Sequence, residues 1–304
     1  LDTSRDMVSR AMYQEIRAGR GIGGKDYVYL DVRHLGRKVI EEKLPDITDF
    51  ARVYQGVEPI SEPVPVQPTA HYAMGGVPTN LETEVLASAG GSVVPGLFAA
   101  GEVACVSVHG ANRLGTNSLV DLLVFGKRAG KRMAAICKST ALPRGTAGAE
   151  GAVRDVRDEM LALSTRPTGV RPAEIRRALA AVMMDNVGVY RDEALLSVAI
   201  AEIGRLKEEY TRVRVEDTGS VFNTDLLEAR ELGYLLDTAE ATAVSARARK
   251  ESRGAHSRED FPDRDDAKFL AHTMIWRGSD GTPAEKIEYK PVVITKFAPK
   301  PRVY

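Results

Sequence analysis

An apolar run at residues 93–100 is interrupted only at Pro95-Gly96 and is closed by Gly101 and Glu102. A short apolar run bounded by turn residues is typical of a buried strand. In nucleotide-binding α/β folds, ligands lie at strand ends. A carboxylate there can accept hydrogen bonds from the hydroxyls of a dinucleotide. Glu102 is therefore a candidate cofactor contact, although taken alone it fits an ordinary surface or capping acid better.

The next predicted element is a helix, because apolar residues recur every three to four positions from Leu119 to Met133. Asn117 or Ser118 is its predicted N-cap. The free N–H groups and the positive dipole end of such a helix favour an oxygen that gains negative charge. Most capped helices bind nothing, so the residues around this one decide its interpretation.

Three basic side chains flank these elements in the sequence: His71, His109 and Arg113. The planar fork of an arginine matches a carboxylate bidentately, and an imidazole can add a further hydrogen bond. Singly, each is more often structural or solvated. Glycines beside His71 and Arg113 would let the backbone approach a planar ring. Two such anchors suit a small diacid.

Further along the chain, the spacing of apolar residues predicts a helical region followed by two strands. The predicted helices cover roughly 150–164, 172–185, 190–212 and 223–250, and the strands lie near 269–276 and 287–295. In the last helix an apolar stripe predicts a bundle core; it consists of Leu226, Leu232, Leu235, Leu236, Ala239 and Ala243. The charged segment 251–266 lies between the helices and the strands, and its composition favours a solvated connector.

The sequence GRGIGG at 19–24 satisfies a dinucleotide-binding fingerprint, with Glu41 and Glu42 about 20 residues further on. That fingerprint needs a strand before it and a helix after it. Here a predicted helix ends near Ala18 and a predicted strand covers 27–32. The segment is therefore predicted to be a glycine loop that terminates a helix.

Composition excludes several classes of protein. The 304 residues carry 42 basic and 42 acidic side chains, which gives no case for nucleic-acid binding. No segment has the ~20 apolar residues of a spanning helix. Cys105 and Cys137 are too few for a disulfide scaffold or a metal cluster, so no metal site is predicted.

Three separated segments carry a family resemblance: HYAMGG, LFAAGEVACVSVHGANRLGTNSLVDLLVFGKRAG and ESRGAHSREDFPDRDD. They resemble the flavoprotein subunit of succinate dehydrogenase, and also that of fumarate reductase, along the whole chain. The closing KFAPKPRVY and the ACVSVHGANRLG block resemble succinate dehydrogenase more. L-Aspartate oxidase shares HGANRL and an ESRG stretch, but the region after ESRG fits it less well.

The resemblance implies an α/β plus helical fold. It comprises the end of a capping domain at 1–68, a returning part of an FAD-binding α/β domain at 69–139, a helical bundle at 140–250 and a small α+β tail domain with an antiparallel hairpin at 251–304. The implied family members are longer on the N-terminal side, so we expect roughly the C-terminal half of a larger protein. The resemblance also implies that segment 251–266 is a buried polar bridge.

Site residues follow from the same resemblance. It implies that His71 and Arg113 bind the dicarboxylate, that Glu102, Ser118 and Leu119 contact FAD, and that Arg5 transfers the proton. In relatives this arginine lies in Gly-Arg-Asp, whereas here the sequence is Ser4-Arg5-Asp6.

The implied activity is succinate dehydrogenase of respiratory complex II, which oxidises succinate to fumarate by hydride transfer to FAD. Electrons would pass to an iron–sulfur subunit and a quinone, and membrane anchor subunits would hold the complex at the cytoplasmic face of a bacterial inner membrane, or at the matrix side in mitochondria. Fumarate reductase and L-aspartate oxidase remain alternatives. A further alternative is that this chain alone is a non-catalytic module that docks a partner subunit.

Overall fold

The computed structural model describes residues 5–141, 145, 147–277 and 286–300, with side chains for all of these except Arg5, Asp6 and Ala147. The chain divides into two compact units, Leu1–His71 with Lys300–Tyr304, and Tyr72–Pro299. Both units combine helices with short strands, and the second also holds a helical bundle. The predicted α/β plus helical fold class is confirmed.

The first unit combines short helices with one small sheet. Its helices are α1 (Arg5–Arg17), α2 (Gly36–Lys43) and α3 (Pro45–Phe50), and its strands are β1 (Val28–Leu30) and β2 (Val64–Val66). Short 3-10 turns cover Ile22–Gly24 and Arg33–Leu35, and a π turn covers Ala51–Gln55. β1 and β2 pair antiparallel, with Val28 opposite Val66.

The glycine-rich segment 19–24 terminates α1, as predicted. Gly19 adopts a left-handed conformation, with φ of 73°. The N–H of Arg20 donates to the carbonyl of Glu15 at 2.9 Å, and the N–H of Gly19 donates to that of Ile16 at 2.9 Å. These two bonds satisfy carbonyls at the end of the helix. Since a helix precedes the segment and β1 follows it, the dinucleotide fingerprint is correctly rejected.

The second unit holds the strands and helices that position the candidate site. Its strands are β3 (Val77–Pro78), β4 (Glu84–Leu86), β5 (Val93–Phe98), β6 (Ala104–Cys105), β7 (Ala271–Trp276) and β8 (Lys286–Pro291). Its helices are α4 (Asn117–Ser139), α5 (Ala147–Thr165), α6 (Pro172–Val187), α7 (Glu193–Tyr210), α8 (Thr224–Ala248) and α9 (Asp266–Phe269). β3 pairs parallel with β6, whereas the pairs β4–β5 and β7–β8 are antiparallel.

The helices α5 to α8 confirm the four helices predicted after residue 140. Side chains cap two of them: Asp192 accepts from the N–H of Leu195 at 2.7 Å, and Asn223 accepts from that of Leu226 at 2.8 Å. The bundle core includes the fully buried residues Leu196, Ile203, Leu206, Leu232, Leu236 and Ala243. The predicted stripe is wrong only at Leu235, which is exposed because it points about 100° away from Leu236 around the helix.

The predicted strand at 93–98 forms as β5, but the prediction that it is buried is wrong. Leu97 is 50% exposed. β5 pairs along one edge with β4, and its register shifts between the pairs Glu84–Phe98 and Leu86–Val93. Pro95 and Gly96 fall within this irregular stretch and weaken the ladder. The apolar pattern therefore predicted the strand correctly, but it did not show that no other element covers the strand's faces in the described structure.

The predicted helix after residue 116 forms as α4, with two differences from the prediction. Its N-cap is Thr116 rather than Asn117 or Ser118; Thr116 has φ of 66° and makes no side-chain capping bond. The hydroxyl of Thr116 instead donates to the carbonyl of Gly115 at 2.6 Å. Of the predicted apolar stripe, Phe125 and Ala129 are buried, whereas its other members are partly or largely exposed.

The charged segment 251–266 buries two of its charged residues, so it is not simply the solvated connector that composition favoured. The bridge to a partner subunit that the resemblance implied stays a prediction. Glu251 and Arg258 are 0% and 1% exposed. The guanidinium of Arg258 donates to the carbonyls of Ala246 at 3.1 Å and Arg247 at 2.9 Å, at the end of α8. It also pairs with Asp260 at 2.7 Å. These partners stabilise the buried positive charge of Arg258. The composition of the segment does not reveal that this charge is buried.

A histidine of this segment is held in one tautomer. Nδ1 of His256 accepts from the guanidinium of Arg191 at 2.8 Å, and its Nε2 donates to the carbonyl of Arg249 at 3.0 Å. Burial lowers the pKa of His256 to about 4. Burial and the nearby charge of Arg258 lower the pKa of Arg191 to about 10.

The two C-terminal strands confirm the predicted antiparallel hairpin partners, with Ala271 opposite Pro291. β8 ends at Pro291, four residues before the predicted end at 295, where a proline limits further pairing. Within the described ranges, no helix has both the length and the apolar character needed to cross a bilayer.

Candidate active site

The parallel pair β3–β6 brings two loop segments together. Val77 lies opposite Ala104. Gly76 precedes β3 with φ of 114°, and a Cβ atom there would lie 2.4 Å from the carbonyl oxygen of Val103. Only glycine allows this approach. The segment from Tyr72 to Gly76 therefore runs beside the turn between β5 and β6, which holds Glu102 and Val103.

Arg113 is the central cation of the loop that leads from β6 to α4. Its guanidinium carbon lies 4.5 Å from the centroid of the Tyr72 ring. Its Nη1 donates to the carbonyl of Leu114 at 3.2 Å, and its Nε is buried without a hydrogen-bond partner. No carboxylate among the described residues pairs with Arg113. Its remaining N–H donors can therefore bind an external acid.

Glu102 lies in the turn after β5 and contacts the same segment. Its Oε1 accepts from the N–H of Ala73 at 3.1 Å, which leaves Oε2 to accept from a ligand. Nearby in sequence, Ser118 and Leu119 occupy the first turn of α4, and Leu119 is exposed. No side chain caps this helix, but the N–H groups of Asn117 and Leu119 donate to the carbonyls of Leu114 at 3.2 Å and Thr116 at 3.0 Å. The N–H of Ser118 and the positive dipole end of the helix can therefore face an anionic group.

A buried polar network lies behind Arg113. Nε2 of His109 lies 3.0 Å from Oδ2 of Asp121 and 3.3 Å from the hydroxyl of Tyr72. The Tyr72 and His109 rings meet edge to face at 5.4 Å. Burial raises the pKa of Tyr72, and the negative charges of Asp121 and Glu102 raise it further.

A small cavity adjoins this network. Its volume is about 20 Å³, and its polar lining comes from Ser107, His109, Asp121 and His272. The hydroxyl of Ser107 lies 2.6 Å from Nε2 of His272 on β7. Burial lowers the pKa of His272. The cavity is large enough for a water molecule but too small for a diacid.

A backbone contact fixes the Arg113 loop to the charged segment. Gly254 has φ of 58°, and a Cβ atom there would lie 2.5 Å from the carbonyl oxygen of Ala111. That carbonyl also accepts from the N–H of Ala255 at 2.9 Å. The position two residues before Arg113 is therefore held by the segment 251–266.

Of the predicted site residues, the structure places Arg113 and Glu102 within one loop cluster of the second unit and Ser118 and Leu119 at the start of α4. His71 is exposed and is the last residue of the first unit. Arg5 is the first residue of α1, and its side chain lies outside the described part.

The sequence-based prediction missed Tyr72 and Asp121. One signal was present for Asp121, since a lone carboxylate interrupts the apolar run LVDLLVF at the start of a helix. Tyr72 stands beside His71 and had no comparable signal, because its contacts are with residues 37 or more positions away.

The chemistry of the cluster fits a flavin dinucleotide at the start of α4. Glu102 has a free oxygen for ribityl hydroxyls, and the start of α4 presents its positive dipole end to an oxygen that gains charge. The exposed side chain of Leu119 can cover an apolar ring. Gly75, with φ of 115°, leaves open space where a side chain would stand.

Two family models match the chain. Residues 2–119 match an FAD binding domain, and residues 176–304 match the fumarate reductase flavoprotein C-terminal domain. The first match includes Glu102, Arg113 and the start of α4. FAD is therefore the cofactor that the family match supports.

Curated relatives and solved structures agree with these models. The fumarate reductase flavoprotein subunit of Proteus vulgaris is 45% identical over 304 residues, which are 99% of this chain and 49% of that protein. The succinate dehydrogenase flavoprotein subunit of Rickettsia bellii is 41% identical over 312 residues, covering 99% of this chain and 52% of that protein. A solved structure of a mutant Escherichia coli quinol fumarate reductase superposes with a TM-score of 0.85 at 44% identity, covering 99% of this chain and 50% of that one.

The chain spans about half the length of the curated relatives that it matches. The two family models cover separate parts of it, and relatives of both names align along nearly all of it. The chain belongs to the succinate dehydrogenase/fumarate reductase flavoprotein family.

Proposed function

We propose that the protein containing this chain interconverts succinate and fumarate, as the flavoprotein subunit of a larger complex. The observation that carries the proposal is Arg113. Its guanidinium is half-buried, stacked on Tyr72 and unpaired with any carboxylate in the described part of the chain. A planar cation held in this way is suited to bind a substrate carboxylate through two parallel hydrogen bonds.

FAD, when bound, would supply the hydride chemistry. We propose that Glu102 holds its ribityl hydroxyls and that Ser118 and Leu119 contact its ring at the start of α4. The positive dipole end of that helix favours negative charge on the cofactor. The parallel approach of β3 and β6 keeps Glu102 near the backbone of Ala73.

The substrate residues divide into two roles. Arg113 and His71 would fix the carboxylates, so that the reacting carbons are held in one orientation. Arg5 would carry the proton; this proposal rests on the family resemblance, which implies that Arg5 corresponds to the proton-transferring arginine. A guanidinium is protonated at ordinary pH, so it can donate during fumarate reduction and must pass a proton onward during succinate oxidation.

Some observations favour succinate oxidation, and others favour fumarate reduction. The closing sequence and the ACVSVHGANRLG block resemble succinate dehydrogenase more than fumarate reductase, which favours succinate oxidation. The relatives include fumarate reductase flavoprotein subunits at 44–45% identity and succinate dehydrogenase flavoprotein subunits at 41–42% identity. We propose succinate oxidation as the working assignment, with fumarate reduction as the second candidate.

The partners follow from the proposed chemistry. Electrons from a two-electron cofactor must leave singly to reach a one-electron carrier, which suits an iron–sulfur subunit, with membrane anchor subunits and a quinone beyond it. The complex would then lie at the cytoplasmic face of a bacterial inner membrane or at its mitochondrial equivalent. Within this chain, we propose the division 1–68, 69–139, 140–250 and 251–304 described above.

Dye reduction by the intact native protein tests the proposal. Succinate and L-aspartate are offered side by side, with malonate as a competing diacid, and fumarate is offered separately with a reduced dye. Succinate-dependent reduction that malonate blocks supports the proposal, and the ratio of the two rates assigns the direction. Reduction that depends on aspartate alone would move the protein to the oxidase branch and remove the partner predictions.

A further inference from the structure

Asp121 is a buried carboxylate in the second turn of α4, one turn beyond the proposed flavin contacts. Its side chain is 4% exposed, and its Oδ1 has no hydrogen-bond partner within the described residues. Nδ1 of His109 is likewise buried without a partner. Burying polar atoms that are only partly satisfied costs free energy. An apolar residue would pack more favourably at position 121, so packing alone does not explain this carboxylate.

The contacts of Asp121 lead directly to Arg113. A carboxylate can only accept, so Nε2 of His109 carries the proton of their 3.0 Å contact. The same nitrogen lies 3.3 Å from the Tyr72 hydroxyl, and the His109 and Tyr72 rings meet edge to face at an interplanar angle of 85°. The guanidinium of Arg113 lies over the face of the same Tyr72 ring.

We propose that Asp121, acting through His109, positions Tyr72 as the platform on which Arg113 presents its free N–H groups to the dicarboxylate. Asp121 and His109 are positioning residues, since neither reaches the guanidinium itself. The inference rests on the proposed function of Arg113. It adds a series of contacts through Asp121, His109 and Tyr72. These contacts connect helix α4, which is proposed to face the flavin, to Arg113.

The geometry explains why a platform is needed. Among the described residues, Arg113 makes one hydrogen bond, from Nη1 to the carbonyl of Leu114, and no carboxylate there pairs with it to fix the orientation of its guanidinium. A cation–π contact attracts the guanidinium to the face of the ring. It orients the guanidinium without occupying the N–H groups that a substrate needs. A carboxylate partner would orient it too, but would compete with the substrate.

The test uses the intact flavoprotein and measures malonate affinity by calorimetry, together with kcat and KM for succinate. Asp121→Leu removes the acceptor, Asp121→Asn keeps an acceptor oxygen, and Tyr72→Phe keeps the ring face but loses the hydroxyl. Glu240→Gln serves as a matched control, because Glu240 is a similarly buried carboxylate that pairs with Lys207 in the bundle at 2.8 Å.

We expect Asp121→Leu to weaken malonate binding about 10-fold, the fold-change of a lost platform contact, with kcat at saturation changed less than about 3-fold. Asp121→Asn should restore most of the affinity. In the Tyr72→Phe background, Asp121→Leu should add little, because both changes break the same chain of contacts. Glu240→Gln should leave malonate affinity unchanged at a similar thermal midpoint.

Two results overturn the inference: parental malonate affinity in a folded Asp121→Leu protein, or effects of Asp121→Leu and Tyr72→Phe that add in full. The parent protein reports separately on the proposed function. If the parent neither binds malonate nor reduces dye with succinate, the proposed function fails and the inference fails with it. If the parent does both, the variants alone decide the role of Asp121.

Discussion

The guanidinium of Arg113 lies over the ring of Tyr72 at 4.5 Å from the centroid. On the described surface, many arginines have an acidic partner instead, for example Arg128 with Glu82 and Arg132 with Glu84. An arginine oriented by a neutral aromatic ring keeps its full charge for a ligand. This relationship is the strongest structural support for a carboxylate-binding site in the chain.

Arg113→Ala should remove dicarboxylate binding and turnover together. A hydrogen bond to a charged group contributes about 1.5–3 kcal/mol, so losing a two-bond contact should lower kcat/KM at least about 100-fold. Arg113→Lys should recover only part of this, because a lysine keeps the charge but not the planar fork. Steady-state kinetics with succinate, and calorimetry with malonate, measure both effects.

Arg128→Ala is the matched control for Arg113. Arg128 lies on α4, and its ion pair with Glu82 is exposed. Exposed pairs contribute about 0–1 kcal/mol, so this change should leave kcat/KM near the parental value. Equal losses in the two variants would show that Arg113 acts through the fold and not through the substrate.

Arg5→Gln should abolish turnover while flavin content and malonate affinity stay near parental values. Proton transfer by a positioned side chain contributes about 10²–10⁴-fold, and glutamine cannot replace it. Arg10→Gln makes the same change in the same helix α1 and should keep activity. Normal succinate turnover in Arg5→Gln would remove the proton-transfer assignment.

Much of the local structure was predictable from periodicity, because helix and strand patterns depend on neighbouring residues. The four helices after residue 140 and the helix-ending glycine loop at 19–24 are examples. Burial was less predictable. An apolar stripe shows which face of α4 or β5 avoids water, but it does not show whether another element covers that face. Leu97 and Leu119 are exposed for this reason.

The candidate site was predictable only in part. Glu102 and Arg113 stand in recognisable segments, whereas the platform under Arg113 depends on distances across loops. Tyr72 meets residues 109 and 113 only after β3 and β6 pair. The charged segment 251–266 was misjudged from composition for a similar reason. Arg258 is satisfied in part by the carbonyl oxygens of Ala246 and Arg247, which carry no sequence signal.

Leu236→Ala and Leu235→Ala should separate the core of the bundle from its surface. Leu236 is fully buried in α8, and truncating such a residue costs about 2–5 kcal/mol. Leu235 is 42% exposed, so its truncation should cost less than about 1 kcal/mol. Urea unfolding of the two variants measures the difference. Equal costs would show that the stripe packs differently from the arrangement described here.

The buried His256 should make stability depend on pH. Its pKa is lowered from 6.5 to about 4 in the folded protein, mainly by burial. Between these two values the unfolded chain binds more protons than the folded one, so the free energy of unfolding falls as pH falls. This contribution is fully present above pH 6.5 and is lost progressively toward pH 4. The gap between the two pKa values corresponds to about 3 kcal/mol at most.

Thermal unfolding of the intact protein from pH 7.5 to 5 checks this dependence, where ~pH 5 is still above the ordinary carboxylate range. The midpoint of the parent should fall more steeply than that of His256→Gln, because glutamine can keep the hydrogen bond to the carbonyl of Arg249 but does not titrate. His34→Gln is the control, since His34 is exposed in the first unit. It should keep the parental slope. If His256→Gln also keeps that slope, the acid sensitivity comes from other groups and His256 is not held neutral by its burial.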